Sequence, residues 1–194
     1  MGIKVNLGVI GAGLENISDE KRQRLLTYKD FIEPFNHSWG HRFFTGTKKE
    51  LFGTDHDYQL ESITKTNLAI KQVFDFNCQA IGFPANACDD TTIKILSQIP
   101  EIHHVFYLKT FFQYQNLLKI KPIIDVNGYG VLENPTGVDY EKFVRSLAEV
   151  EAPEGVITFQ LHPSMWSVAS FAEFVKCIEY LKSKNSIFIF ASEL

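Results

Sequence analysis

The punctuation of this chain predicts an α/β fold with parallel strands, and three observations carry that reading. Short runs rich in apolar and β-branched residues, at 3–10, 102–108, 155–161 and 186–190, alternate with longer amphipathic segments at 58–74, 138–150 and 170–183. Such alternation is the pattern of strands joined by crossover helices, in a barrel or a doubly wound sheet. Glycine or proline closes several strand-like runs, at Gly11, Pro84 and Pro163, where a strand must give way to a turn. Finally, 194 residues, 45% of them apolar and 22% charged, suffice for one domain, residues 1–194, with a core that needs no staples.

Taken in order, residues 3–10 read as a buried strand, and Gly11-Ala12-Gly13 as the small-residue turn after it. Asn16 breaks the dinucleotide-binding pattern there. Ser18 caps a helix with acids in its first turn, fading near Asp30. Residues 31–35 are extended and deliver a histidine segment; 42–57 is irregular and glycine-punctuated. A helix follows at 58–74, a short strand at 79–84, and a helix at 91–99 capped by Asp89 or Asp90. Strands are expected at 102–108 and 120–126, with 110–121 readable either way. Loops occupy 128–130 and 134–137, a helix beginning near Asp139 runs over 138–150, and 151–155 is a connector. A strong strand at 155–161 ends on His162-Pro163; the helix 170–183 and a closing strand at 186–190 complete the chain.

Composition excludes several roles. A net charge of −4 with no basic block argues against nucleic acid or an acidic membrane surface as partner. Cys78, Cys88 and Cys177 are odd in number and widely spaced, which excludes a zinc ribbon or a Cys-x2-Cys redox pair. They read as reduced thiols, some of them in the core, as in a cytoplasmic protein. No charged start precedes an apolar run, and no apolar stretch approaches the roughly 18 residues that a membrane span needs. Seventeen phenylalanines predict a densely packed interior.

The stretch with the most chemistry is Asn36-His37-Ser38-Trp39-Gly40-His41. On a strand, positions four apart lie about 13 Å from each other. On a turn they come within about 6 Å and face the same way, so both imidazoles can meet one ion. Imidazole suits zinc and its first-row neighbours. On spacing alone, the pair also reads as one histidine capping a turn and one at the surface. Asp55-His56-Asp57 reads as a solvated loop rather than a ligand cluster. His103 and His104 point to opposite faces of a strand and read as structural. In α/β folds chemistry gathers where strands end, and both His41 and His162 stand at such places.

Asn36-His37-Ser38-Trp39-Gly40-His41 resembles the Asn-His-Ser/Thr-x-x-His metal motif of the polysaccharide deacetylases, carbohydrate esterase family four. Gln160-Leu161-His162-Pro163 resembles that family's late Leu-His motif, residues 2–11 its second strand, and residues 178–194 its ending. The resemblance implies a distorted (β/α) barrel and metal-assisted removal of acetyl groups from a carbohydrate. It implies that His37 and His41 bind a divalent ion, zinc first, and that His162 is the acid that protonates the leaving group. Trp39, Pro84 and Trp166 are the candidate substrate contacts, the partner being a polysaccharide or sugar precursor.

Three departures from the family pattern shape these expectations. Its first-strand Thr-Phe-Asp-Asp stretch has no counterpart here, so either the sequence is a truncated form or the barrel lacks that strand and its carboxylates. The open sheet edge then favours pairing between chains. The middle motif reads Gly82-Phe83-Pro84, without the family's arginine before the proline. For the carboxylate that tunes the acid histidine, Asp125 is the nearest candidate. Two histidines without a carboxylate predict weak metal binding and little activity. The alternative is a non-catalytic module that binds sugar through Trp39, Trp166 and the aromatic residues of 43–58.

Overall fold

Neighbours in sequence are neighbours in the sheet. The computed structural model describes residues 2–111, 123–150 and 155–194. Strands β1 (Val5–Val9), β2 (Ile32–Asn36), β3 (Ala80–Gly82), β4 (His104–Tyr107) and β5 (Ile123–Asp125) form one sheet in that order. β1 to β4 pair in parallel, with Val9 opposite Asn36, Asn36 opposite Ile81, and Ile81 opposite Val105. A doubly wound sheet reverses its order at a switch point, whereas a β/α barrel adds strands consecutively. The five strands follow the barrel's order. The chain divides into two compact units, Met1–Ile124 with Phe188–Leu194, and Asp125–Ile187.

In the first unit, β1 leads into the short helix α1 (Ala12–Glu15) and then α2 (Asp19–Leu26), capped by Ser18, whose Oγ accepts from Lys21 N. Helix α3 (His56–Phe74) covers the sheet. Its buried residues Gln59, Ser62, Ile63, Thr66, Ala69, Ile70 and Val73 recur at three and four positions, one stripe of a helix. Ile63 and Ile70 are fully buried beside Val9, Ile81 and Val105, and each such side chain contributes about 1.5–3 kcal/mol. Asp89 caps helix α4 (Asp90–Leu96) in a reciprocal capping box with Thr92. Phe35 and Phe106, with ring centroids 4.8 Å apart, fill the other face of the sheet. Gly82 makes room for them: a Cβ there would lie 2.8 Å from the Phe35 ring.

The second unit carries an antiparallel hairpin, β6 (Glu133–Asn134) and β7 (Gly137–Val138), where the sequence reads as loop. Asp139 caps α5 (Tyr140–Leu147) and Ser167 caps α6 (Val168–Ser183), each accepting from a first-turn backbone N–H. Phe143 is fully buried between Phe159 and Tyr180, at 6.1 Å from each.

Two expected strands are not laddered among the described residues, and side chains hold the first of them and the turn that follows the second. In 155–161 the backbone bonds to Asn127 instead: Thr158 N donates to its Oδ1 (3.0 Å) and its Nδ2 donates to Val156 O (3.2 Å). In 186–190 the chain runs into a 3-10 turn, Ala191–Glu193. Ala191 N donates to Asn6 Oδ1 (3.0 Å), Ser192 N and Oγ both donate to Glu33, and Glu193 pairs with Lys4. Of the region read as ambiguous, 112–121 lies outside the described residues, as does 151–154 of the connector. Among the described residues no helix is long and apolar enough to cross a membrane. All three cysteines are free and buried, and burial pushes the thiol of Cys78 up to about 11 and that of Cys177 up to about 12.

Candidate active site

The histidine loop begins where β2 ends. Asn36 is fully buried and ties the strand end to α3, its Nδ2 donating to Ile63 O (2.9 Å) and Asn67 Oδ1 (2.7 Å). Its Oδ1 accepts from Ser38 N at 2.8 Å, which bends the chain at once. Ser38 and His41 both take the left-handed region, with φ of 66° and 52°. Ser38 Oγ accepts from His41 N at 3.2 Å, so the serine closes the turn as its position suggests. The result is a tight loop, not a helix. It brings the His37 and His41 rings to 4.9 Å between centroids, inside the distance at which two imidazoles can address one ion.

His37 is oriented further. Its Nδ1 lies 2.7 Å from Gly82 O at the end of β3. A carbonyl accepts only, so Nδ1 carries the proton and Nε2 the lone pair, the tautomer of a metal-ligating imidazole. Gly11 lets the loop sit close to α1: its N–H donates to Ser38 O at 3.0 Å, and a Cβ there would fall 2.5 Å from the Trp39 ring.

The anchor of the loop is Glu50. Its carboxylate is fully buried and accepts from Trp39 N (3.0 Å), Gly40 N (2.9 Å), Arg42 N (2.8 Å) and Ser62 Oγ (2.7 Å). Burial pushes its carboxyl up, but the Arg42 and Gly40 N–H groups and the Ser62 and Ser38 hydroxyls outweigh it and hold the carboxyl below its usual range. Three backbone donors from 39–42 thus converge on one anion and fix the path between the two histidines. Nothing in the sequence singles out Glu50. It follows two lysines in a polar loop and reads as surface charge.

In the second unit, His162 meets a carboxylate. Glu133 Oε1 lies 2.8 Å from His162 Nδ1, and its Oε2 accepts from His162 N and from Trp166 Nε1, each at 2.6 Å. Glu133 rather than Asp125 is therefore the acid that orients this ring. The 29 positions between them explain why the sequence conceals the pair. His162 remains 47% exposed, while Glu133 is 16% exposed. Trp166 meets Phe171 edge-on at 5.2 Å and packs tilted against Phe174 at 5.1 Å.

The remaining candidates have plain structural settings. Trp39 packs over Gly11 and under Lys65, whose Nζ sits 3.8 Å from its ring centroid. Pro84 is buried at the start of a 3-10 turn after β3. Asp55 is the N-cap of α3, accepting from Tyr58 N at 2.9 Å, and His56 pairs with Asp57 at 3.0 Å. His103 is exposed and His104 buried, on opposite faces as the strand requires; burial lowers the His104 imidazole. Among the described residues no group of three His, Cys, Asp or Glu side chains converges as a metal site. His37 and His41 therefore supply two imidazole donors, His37 in the fitting tautomer, one short of the usual three protein ligands of a catalytic zinc.

No protein-family model matches the sequence, and no curated protein does. Solved structures do match the fold. A CE4 family pseudoenzyme from Bacillus anthracis is 15% identical with a TM-score of 0.65 over 99% of this chain and 55% of its own. A family 4 acetyl xylan esterase from Clostridium thermocellum, in complex with a cobalt ion, is 14% identical with a TM-score of 0.64 over 98% of this chain and 76% of its own. A family 4 carbohydrate esterase from Streptomyces lividans, in complex with acetate, is 12% identical with a TM-score of 0.66 over 97% of this chain and 79% of its own. The chain has the fold of the carbohydrate esterase family four deacetylases, and it spans about half the length of the Bacillus anthracis pseudoenzyme.

Proposed function

We propose that this chain removes acetyl groups from a carbohydrate, a polysaccharide or sugar precursor, using a divalent metal at His37 and His41. The observation that carries this reading is the ring pair itself, 4.9 Å apart on a strand-end loop, with His37 Nδ1 committed to a backbone carbonyl. Zinc is the first choice for imidazole donors. A divalent ion held by His37 and His41 would supply Lewis-acid activation for hydrolysis of an acetyl group. His37 and His41 present two lone pairs from one rigid loop, and Glu50 keeps the loop in that shape. His162 holds a proton for the departing oxygen or nitrogen, and Glu133 keeps that ring in one orientation. Trp39 and Pro84 of the first unit and Trp166 of the second are each proposed as a sugar contact on the strength of the resemblance, and residues 1–194 are proposed as a single domain.

The test is metal titration of the full chain, followed by acetate release from N-acetylated oligosaccharides with and without chelator. With two histidine ligands and no third among the described residues, weak zinc binding and little chelator-sensitive release are expected; one tightly held zinc per chain would overturn that expectation. Bound metal with zero turnover would sink the catalytic reading.

A second reading is favoured by a specific observation, the lack of a third converging ligand among the described residues. In it the fold is kept for sugar binding without catalysis; one structural neighbour is a CE4 family pseudoenzyme. Sugar binding that survives chelation, without acetate release, selects it.

A further inference from the structure

β1 ends its sheet on one side. It pairs with β2, and among the described residues no strand lies beyond it. Such a strand presents a row of backbone N–H and C=O groups, which folded chains ordinarily guard with lysines, a proline, a bulge or a covering segment. Those guards are missing here. Val5-Asn6-Leu7-Gly8-Val9-Ile10 contains no charged residue and no proline, and its register with β2 runs unbroken over Val5–Val9. Lys4, the nearest charge before it, is paired with Glu193. Val5 is 39% exposed and Ile10 40%, with Gly8 exposed between them. The C-terminal turn meets β1 through the side chains of Lys4 and Asn6 rather than through a ladder, and its Ala191 packs with Phe35 and Phe106.

An unguarded edge takes an extended strand, and this segment is its own complement. Turned antiparallel about a two-fold axis at Leu7, two copies set Val5 against the partner's Val9, Asn6 against the partner's Gly8 and Leu7 against the partner's Leu7. That register uses every residue of the ladder, Val5–Val9. Opposed residues share a face of the sheet, so the apolar row 5, 7, 9 of one copy continues into that of the other. Leu7 and Val9 already lie on the core side of that row. A charged peptide would find no opposite charge between residues 5 and 10. A second copy brings the same uncharged row, and one self-complementary contact closes two open edges at once.

We propose that β1 pairs antiparallel with β1 of a second copy, in a two-fold dimer that joins the two sheets edge to edge. The contact bears on the histidine loop, because β1 and the turn after it hold that loop: Val9 O accepts from His37 N at 2.9 Å, and Gly11 N and Ala12 N donate to Ser38 O (3.0 Å) and Trp39 O (2.8 Å). A partner strand therefore steadies the element from which the histidine pair hangs. The dimer needs neither metal nor sugar, so its presence or absence leaves the proposed activity standing or falling on its own test.

The experiment is sedimentation equilibrium of the metal-free full chain over a dilution series, where a dimer that dissociates on dilution is expected. Val5→Lys sets a guard charge on the edge and should raise the dissociation constant at least about tenfold, whereas Val5→Thr, β-branched and uncharged, should leave it within about twofold. Cysteine cross-linking under mild oxidation reads the register. Leu7→Cys lies on the two-fold axis and should link to its twin, since opposed Cβ atoms sit about 4.5–5.5 Å apart. Val5→Cys should not link, because its twin is four positions off along the strand, about 13 Å away. The unsubstituted chain, whose cysteines are all buried, should not link either. A monomer at every concentration, a dimer indifferent to Val5→Lys, or Val5→Cys linking as readily as Leu7→Cys would overturn the proposal. Should circular dichroism show that Val5→Lys does not fold, the cross-links decide: linkage at 7 and not at 5 supports the pairing, and no linkage at 7 overturns it.

Discussion

Two histidine stations in this chain are built by opposite means. In the first unit the carboxylate of Glu50 grips the backbone at 39, 40 and 42, and the rings are carried by that backbone. In the second, Glu133 grips His162 itself, at Nδ1 and at N. The difference matches what each station is proposed to do. A metal needs two donors at a set separation, which a rigid loop provides. A proton donor needs one ring in a set orientation, which a side-chain clamp provides. The exposures follow suit: Glu50 is fully buried with every bond directed inward, whereas His162 stays 47% exposed, open to exchange a proton.

The largest expected effect breaks the first station at its anchor. Glu50→Ala leaves three backbone N–H groups and the Ser62 hydroxyl buried without their acceptor, and should cost the first unit about 3–5 kcal/mol in urea denaturation. Metal affinity should fall with it, since the loop loses its path. His41→Ala tests the same station from the other side. Metal affinity by titration should drop by more than about a hundredfold while the denaturation midpoint stays within about 1 kcal/mol, because the ring is not in the core.

The second station should answer differently. Glu133→Gln is expected to lower kcat by about tenfold to a hundredfold with metal affinity unchanged. A fall in metal affinity instead would show that the two stations do not divide the work as described.

Acid sharpens the comparison further. Glu50's carboxyl is held below its ordinary value in the folded chain. Its stabilisation is therefore fully present above the ordinary value of the unfolded chain and is lost as pH falls through the lower folded one. Glu50→Gln should flatten that acid limb of the stability curve, and Glu133→Gln should leave it as it was. The smallest effect concerns the thiols. With Cys78 pushed up to about 11 and Cys177 to about 12 by burial, the native chain should react with a thiol reagent at pH 8 far more slowly than the denatured chain.

Much of the first station is local and was therefore legible. The four-residue spacing of His37 and His41, and Ser38 between them, specify a turn that closes on itself, and Ser38 does close it. The caps at Ser18 and Asp89, and the helical stripe that ends at Val73, are likewise short-range patterns. Two expected strands do not ladder among the described residues: Asn127 takes backbone bonds of 155–161, and 186–190 runs straight into the turn that Asn6 and Glu33 hold at Ala191 and Ser192. A side chain that substitutes for a ladder leaves no trace in the periodicity of the segment it holds.

The sequence by itself determined the alternation of strands and helices, the histidine pair, and the resemblance that named a fold. The tertiary structure alone decided which carboxylates serve those histidines. Glu50 reaches Ser62 across 12 positions and Glu133 reaches His162 across 29. Nothing in the immediate neighbourhood of either acid marks it, because each is selected by the donors that the fold gathers around it: at Glu50 three backbone N–H groups and a serine hydroxyl, at Glu133 one backbone N–H and two ring N–H groups.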